Sequence, residues 1–194
     1  MTWLFLILLG LALLAAFILV AARNRLVRLR HQVVNARGQI DVQLARRHDL
    51  IPNLVELVKG AMAHEHGLLT ALVEARGDAM RALQGGGGSP ESAEAEDRLT
   101  SKLAPLLSFV ESQPHLMSLD NVRALQEELS STENRIAFAR QHYNDAATRH
   151  NEAGESFPAS LFAGAADKSP LWTMPAGAER VPAVDLRFGA AAAG

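Results

Sequence analysis

The sequence predicts an all-α protein: an N-terminal transmembrane helix followed by an antiparallel up-down four-helix bundle. Three observations predict it. Residues 3–22 carry no charge, apolar residues recur at spacings of three and four along most of the remaining chain, and the aromatic content is only 5% while Ala and Leu are abundant. We divide the chain into an anchor at residues 1–22, a bundle at 23–157 and an irregular, partly disordered tail at 158–194.

The uncharged run at residues 3–22 is long enough to be a membrane anchor. About 20 residues at about 1.5 Å each cover about 30 Å, the thickness of the hydrocarbon core. A cleaved signal peptide is the alternative, with a cleavage site at residues 20–22. However, no Lys or Arg precedes the run, and it is longer than the apolar core of a typical signal peptide. We interpret it as an uncleaved single-pass anchor in the lipid bilayer.

The charges around the span predict its orientation. No basic residue precedes it, whereas Arg23, Arg25, Arg28 and Arg30 follow it directly. By the positive-inside rule, the N-terminus lies outside and the bundle lies in the cytoplasm. This basic collar beside an acidic body also suits a domain that stands on an anionic leaflet. A body outside the cytoplasm, through cleavage or inverted insertion, is the alternative.

Four apolar stripes predict the helices of the bundle. Each stripe forms one face of a helix, and the fourth is a coiled-coil-like heptad seam. The first stripe is Leu26, Leu29, Val33, Ala36, Ile40 and Leu44; the second is Leu54, Val58, Met62, Leu69, Leu72, Arg76, Met80 and Leu83; the third is Leu99, Leu103, Leu106 and Val110; and the fourth is Val122, Leu125, Leu129, Thr132, Ile136, Ala139, Tyr143, Ala146 and His150.

Glycine, proline and capping residues mark the helix ends. The glycine run at residues 85–88 separates the second helix from the third. Ser89 is predicted to cap the third helix, with Pro90 at its first position. Ser118 or Asp120 is predicted to cap the fourth helix.

The turn between the first and second helices has two possible positions. One is at residues 46–52, with Asp49 as a helix cap and Pro52 in the first turn of the next helix. The other is at residues 60–67, with the first helix only kinked at Pro52. The first position gives helices whose lengths match better in a four-helix bundle, so we favour it.

The sequence contains no recognisable catalytic or metal-binding pattern. The absence of Cys excludes disulfides and thiol catalysis, and the net charge of −2 argues against a general nucleic-acid binder. His64, Glu65 and His66 look like metal ligands, but residues two apart do not share a helix face, and neither His-Glu-x-x-His nor Glu-x-x-His occurs. We expect no enzyme activity, no cofactor and no metal. A membrane-tethered enzyme or metal-binding helical bundle is the alternative.

Two polar-rich stretches, around residues 46–53 and 133–145, carry the candidate interaction residues. They are either caps and solvated faces, or an interhelical network that fixes register, or a recognition surface. If the first and fourth helices run antiparallel from a shared membrane end, equal lengths of helix place Arg46 and Arg47 opposite Glu127, Glu128 or Glu133. The candidates are Arg46, Arg47, His48, Asp49, Pro52, Asn53, His64, Glu65, Arg76, Glu128, Glu133, Arg135, Arg140, Tyr143, Asn144 and Asp145.

Motifs in and around these stretches resemble the LemA family. They are QIDVQL at 39–44, RRHDLIPNLVE at 46–56, TENRIAFAR at 132–140 and YND at 143–145, followed by Asn151. The resemblance covers residues 24–163, although Arg37 stands where the family usually has Trp. It implies a bacterial protein with one N-terminal membrane span and an all-α four-helix bundle, in a family for which no catalytic activity is established.

Together these observations predict a membrane-anchored, non-enzymatic scaffold or adaptor. We expect it in the bacterial inner membrane as a single-pass protein, with its N-terminus outside and its bundle in the cytoplasm. The expected partners are other membrane or membrane-associated proteins. The sequence does not define the oligomeric state.

Overall fold

A computed structural model describes residues 2–62, 66–85, 89–161 and 168–172. The helices are α1 (Thr2–Val58), α2 (His66–Gln84), α3 (Pro90–Ser112), α4 (Pro114–Met117) and α5 (Asp120–Glu155), and a 3-10 turn follows at Ala159–Leu161. These ranges contain no strand, so the predicted all-α fold is confirmed.

Helix α1 combines the apolar span and the first helix of the bundle in 57 continuous residues. Its N-terminal part has a window of mean hydropathy 3.1 whose side chains are not buried inside the protein. In the described part of the chain, α1 is the one helix long and apolar enough to cross a membrane. No joint separates this segment from the part of α1 that packs in the bundle.

The prediction of a turn at residues 46–52 is wrong. The chain stays helical through Asp49 and Pro52 to Val58, and α2 begins at His66, close to the alternative turn position at 60–67. Leu50, Ile51 and Leu54 are buried and continue the apolar stripe of α1 past the proline. Ending the helix before Pro52 would forfeit this packing, which outweighs the local preference of proline for a helix start.

A contact from α2 offsets the backbone defect that Pro52 creates. Proline has no N–H, so the carbonyl oxygen of His48, four residues earlier, loses its helical donor. Nε of Arg76 donates to this oxygen at 2.6 Å. A side chain on α2 thus satisfies the orphaned carbonyl and joins α2 to the C-terminal part of α1.

The bundle consists of α2, α3, α5 and the C-terminal half of α1, and its closest packing pairs α1 with α5 and α2 with α3. The fourth predicted stripe is buried along its whole length, from Val122 to His150. Two apolar clusters fill the interior. One lies among α1, α2, α3 and α5 at the end far from the span, and the other lies mainly between α1 and α5 nearer the span.

The capping predictions have mixed outcomes. Ser89 caps α3, since its Oγ accepts from the backbone N–H of Ser92 at 3.2 Å, and Pro90 follows in the first turn. Ser118 and Asp120 do not cap α5, because Leu119 occupies the N-cap position without a side-chain hydrogen bond. The single-turn helix α4 sets the direction of the chain into α5 instead, and Asp120 lies in the first turn of α5.

Two parts of the predicted tail pack on the bundle. Besides the 3-10 turn, residues 168–172 lie along α5, and Trp172 joins the core cluster that α1 and α5 share. Phe157, Leu161 and Leu171 remain exposed. The rest of the predicted tail, residues 162–167 and 173–194, lies outside the described residues.

Candidate functional site

An ion pair between Arg47 and Glu96 lies in the interior of the bundle. Nη2 of Arg47 donates to Oε2 of Glu96 at 2.5 Å, and the two side chains are 1% and 0% exposed. On α1, Arg47 follows Leu44 by three residues, and on α3, Glu96 precedes Leu99 by three. Each charge therefore occupies a position on the face that its helix turns to the core.

His48 places a second basic group against the same carboxylate. Its Nε2 lies 2.9 Å from Oε1 of Glu96, without the alignment of a linear hydrogen bond. Both oxygens of Glu96 thus face basic side chains from neighbouring positions of α1. We call Arg47, His48 and Glu96 the buried charge centre.

The buried charge centre favours the ionised form of Glu96. Burial acts to raise the pKa of this carboxyl, but the close approach of His48 and the charge of Arg47 outweigh burial and hold the pKa below its ordinary value of 4.5. Glu96 is therefore a carboxylate at neutral pH. Because its oxygens face Arg47 and His48 and it has no exposed surface, it offers no open position to a substrate.

Further contacts extend from the centre toward the surface. Nη1 of Arg47 donates to Oε2 of the half-exposed Glu133 at 2.7 Å and to Oγ1 of Thr100 at 3.0 Å. Nη2 of Arg46 donates to Oε1 of Glu128 at 2.6 Å on the surface. Both arginines thus contact glutamates that the helix-length argument places opposite them. Arg47 touches α3 and α5 at once, so one side chain from α1 links three helices.

Asp97 and Arg140 lie beside the centre on α3 and α5. Burial raises the pKa of Asp97, against the opposing charges of Arg140 and Arg47. Burial also lowers the pKa of Arg140, with the charge of Arg47 acting in the same direction. The interior thus holds two arginines near each other, and the acidic side chains around them offset this repulsion.

The remaining candidates are dispersed. Tyr143 and Asn144 lie on α5 beside the segment 168–172, and burial raises the pKa of Tyr143. Arg76 contacts the backbone of α1, as described above. His64 and Glu65 lie outside the described residues. The candidates exposed on the surface are Asp49, Pro52, Asn53, Arg135 and Asp145.

Sequence reasoning missed Glu96, although a signal for it exists. Extending the third apolar stripe backwards from Leu99 in steps of three and four reaches Glu96 and Ser92, which are both fully buried. The acidic composition of residues 91–97 masks this pattern, because charged helix starts are usually solvated. The binding of residues 168–172 to α5 has no periodic signal, since an extended segment between prolines does not reveal the helix on which it packs.

Two open cavities border these residues. A cleft of about 610 Å³ between α3 and α5 has Arg47 and Glu133 in its wall beside apolar residues such as Leu103 and Leu129. A shallower groove of about 760 Å³ crosses the outer face of α1 and α5 over Gly38, with Val42 and Phe138 along it. We call the second one the outer groove. In the described ranges, no group of three or more His, Asp or Glu side chains has a geometry that holds a metal ion.

The fold and these contacts define a class of protein: an all-helical bundle that continues directly from an apolar N-terminal helix and contains a buried charge centre. A family model described as the LemA family matches residues 36–186. The chain therefore belongs to the LemA family. The matched region includes the buried charge centre and all of α2, α3 and α5.

Known proteins similar to this chain include magnetosome proteins. MamQ 2 and MamQ 1 of Paramagnetospirillum magneticum are each 26% identical over 150 residues, covering 66% of this chain and 55% of the relative. MamQ of Magnetospirillum gryphiswaldense is 26% identical over 169 residues, covering 75% of this chain and 62% of the relative. The chain thus spans little more than half the length of these relatives.

Proposed function

We propose that the protein is a membrane-anchored, non-enzymatic scaffold or adaptor that holds other membrane or membrane-associated proteins at a fixed place beside the bilayer. The observation that carries this proposal is the unbroken helix α1, which joins the apolar span to the buried charge centre. From Arg23 to Arg47 the helix rises about 36 Å. A helix locked at that point by ion pairs positions the bundle without a flexible joint.

The end of the bundle nearest the span fits the surface of a membrane. Because α1 and α5 run antiparallel, the chain around residues 155–161 lies level with the arginines at residues 23–30. Phe157 and Leu161 are exposed at this end. Apolar side chains beside basic ones suit the boundary between lipid headgroups and acyl chains. This supports a bundle that stands on the cytoplasmic leaflet of the inner membrane, as the distribution of arginines predicts.

The outer groove supports the binding of a partner protein. Phe138 is 74% exposed there, and the apolar side chains of Val34 and Val42 are exposed on the neighbouring face of α1. Exposed aromatic and branched apolar side chains that lie together on a rigid surface are typical of protein-binding sites. The similarity to magnetosome proteins supports a place in a membrane-associated assembly.

Photo-crosslinking in intact cells tests the scaffold proposal. A photoreactive amino acid at position 138 of the full chain is expected to give discrete protein adducts. The matched control places the same amino acid at Ser108, an exposed position on α3 outside the outer groove. Absence of adducts from position 138, or the same adducts from both positions, would contradict the proposal.

One observation favours the alternative, a membrane-tethered enzyme or metal-binding bundle. The cleft between α3 and α5 places Glu133 and Arg47 beside apolar walls, an arrangement that can receive a small ligand. Metal analysis of the purified full chain tests it. A stoichiometric ion that disappears with Glu133→Gln or His64→Ala would support the alternative, whereas metal-free protein that still gives the position-138 adducts supports the scaffold.

A further inference from the structure

Helix α5 binds the extended segment 168–172 through two asparagine side chains that act like a neighbouring β-strand. Nδ2 of Asn151 donates to the carbonyl of Ser169 at 2.9 Å, and its Oδ1 accepts from the N–H of Ser169 at 2.8 Å. Asn144 makes the same pair of bonds with Trp172, at 3.0 and 2.8 Å. Each amide therefore satisfies both backbone groups of one residue.

The spacing of the asparagines matches the repeat of an extended chain. Asn151 follows Asn144 by seven residues of α5, a rise of about 10.5 Å. Trp172 follows Ser169 by three residues, which in an extended chain cover about 10 Å. Because both lengths agree, the two asparagines hold a segment of chain that runs antiparallel to α5. Backbone contacts of this kind do not depend on the side chains of the bound segment.

Buried polar groups complete the backbone contacts. Oη of Tyr143 donates to the carbonyl of Pro170 at 2.8 Å, and Nδ1 of His150 lies 3.2 Å from Oγ of Ser169. Both Tyr143 and His150 are more than nine-tenths buried. The N–H that Pro170 lacks is not needed, because the site contacts only its carbonyl. We call Arg140, Tyr143, Asn144, His150 and Asn151 the asparagine groove.

One side chain of the bound segment provides the specific contact. Trp172 is 6% exposed and enters the core cluster between α1 and α5, and the guanidinium of Arg140 lies 5.1 Å from the centre of its ring. In contrast, Leu171 points to solvent and Lys168 makes only a surface ion pair with Glu155. The groove thus combines a tolerant backbone clamp with a pocket for one large aromatic residue.

We propose that the asparagine groove is a peptide-binding site for an extended segment of a partner protein, with a tryptophan three residues after the first clamped residue. Residues 168–172 are the internal occupant that this segment displaces. The inference deepens the proposed scaffold function, on which it rests, by giving the chemistry of a partner.

Six residues link the internal segment to Leu161, and a short link gives this segment an effective concentration at the groove in the millimolar range. A partner held at the same membrane competes with this occupant more effectively than a dilute one.

A binding experiment with a synthetic peptide tests the inference. The probe is fluorescein-labelled Lys-Ser-Pro-Leu-Trp, added to the full chain in detergent micelles. Trp172→Ala weakens the internal occupant, and we expect this variant to bind the probe at least tenfold more tightly than the wild-type chain does. Leu171→Ala is the matched control, which leaves the occupant in place and binds like wild type. A folded Trp172→Ala variant that binds no tighter than wild type would overturn the inference.

Changes in the groove and in the peptide test how the binding occurs. Adding Asn144→Ala and Asn151→Ala to the Trp172→Ala variant is expected to weaken probe binding at least tenfold. A probe with Ala in place of Trp should bind at least tenfold more weakly, whereas one with Lys in place of Leu should bind equally well. Unchanged affinity for the Ala probe or in the asparagine variant would also overturn the inference.

A second measurement avoids dependence on the Trp172→Ala variant. The full chain with Trp3→Phe and 5-fluorotryptophan has one fluorine label, at Trp172. We expect an excess of unlabelled Lys-Ser-Pro-Leu-Trp peptide, at about 10 mM, to displace the labelled segment. The ¹⁹F resonance should then move to the chemical shift of a solvent-exposed tryptophan. A resonance that does not move would overturn the inference. Position 138 lies outside the asparagine groove. If the peptide test fails but crosslinked adducts still form from position 138, the peptide-binding inference is wrong and the scaffold proposal stands.

Discussion

At the scale of single residues, Arg47 and Glu96 are each tolerated in the interior of the bundle because the other is present. Removing two charges from water is costly, and their attraction and hydrogen bonds offset that cost only while both are present. The surface pair of Arg46 and Glu128 differs, because water solvates each partner whether or not the other is there. Loss of one partner is therefore expected to affect stability differently in the two ion pairs, although their arginines are adjacent in sequence.

Glu96→Gln is expected to lower the free energy of unfolding by about 3–5 kcal/mol, because Arg47 stays charged without its buried counter-charge. Glu128→Gln makes the same chemical change in the surface pair and should cost less than about 1 kcal/mol. Urea denaturation of the full chain in detergent micelles, followed by far-ultraviolet circular dichroism, measures both. Equal losses in the two variants would contradict the assignment of the buried charge centre.

The pH dependence of stability gives an independent test of Glu96. Its pKa in the folded chain lies below the ordinary value of 4.5, so the unfolded chain takes up the proton first as the pH falls. The stabilisation by Glu96 is therefore complete above about pH 4.5 and is lost as the pH falls through the folded pKa. The stability difference between wild type and Glu96→Gln should shrink over this range. A difference that stays constant from pH 7 to pH 3 would exclude an ionised Glu96.

The sequence predicts part of this site and not the rest for a physical reason. Helices have a regular rise per residue, so the residues that lie opposite each other on two antiparallel helices can be worked out from the sequence. This identified the arginines and glutamates that meet between α1 and α5: Arg46, Arg47, Glu128 and Glu133. Glu96 was not identifiable in this way, because its burial depends on α3 lying against Arg47, a contact between distant parts of the chain. Nearby acidic residues give it the local appearance of a solvated helix start.

At the scale of elements, Arg76 and Pro52 show how α2 stabilises an irregular point in α1. The first and fourth periodic stripes predicted buried faces of α1 and α5, because apolar spacing indicates which side of a helix faces the core. The second stripe is divided between α1 and α2, and Ala79 rather than Met80 is buried. The first turn was misplaced, because the cost of proline in a helix is local whereas the bond from Arg76 that offsets it comes from another helix. The length of α1 therefore depends on tertiary contacts.

A double-mutant cycle between these residues tests this explanation. Arg76→Ala is expected to cost about 1.5–3 kcal/mol in the wild-type chain, because it leaves the carbonyl of His48 without a donor. In the Pro52→Ala background the new N–H at position 52 donates to the carbonyl of His48 instead. The stability cost of Arg76→Ala should therefore fall to a fraction of this value. Arg81→Ala, which removes only a surface pair with Asp78, serves as the control. The same cost in both backgrounds would contradict the explanation.

At the scale of the whole molecule, the continuity of α1 makes membrane topology testable by labelling. The chain has no Cys, so a single introduced one reports its own position. With the bundle in the cytoplasm, Ser101→Cys should react with a membrane-impermeant maleimide only after permeabilisation of the cells. Thr2→Cys should react in intact cells and serves as the control. Labelling of position 101 in intact cells would reverse the proposed orientation.

The most direct test of the central claim is to replace the buried ion pair by apolar side chains of similar size. We propose that the buried charge centre is structural and that the protein acts by holding partners. The double variant Arg47→Met and Glu96→Leu should then fold, since such replacements are often neutral or stabilising. In intact cells it should give the same crosslinked adducts from position 138 as the wild-type chain. A variant that folds with wild-type stability but loses these adducts would contradict the claim, because the charges would then serve binding or chemistry rather than the fold.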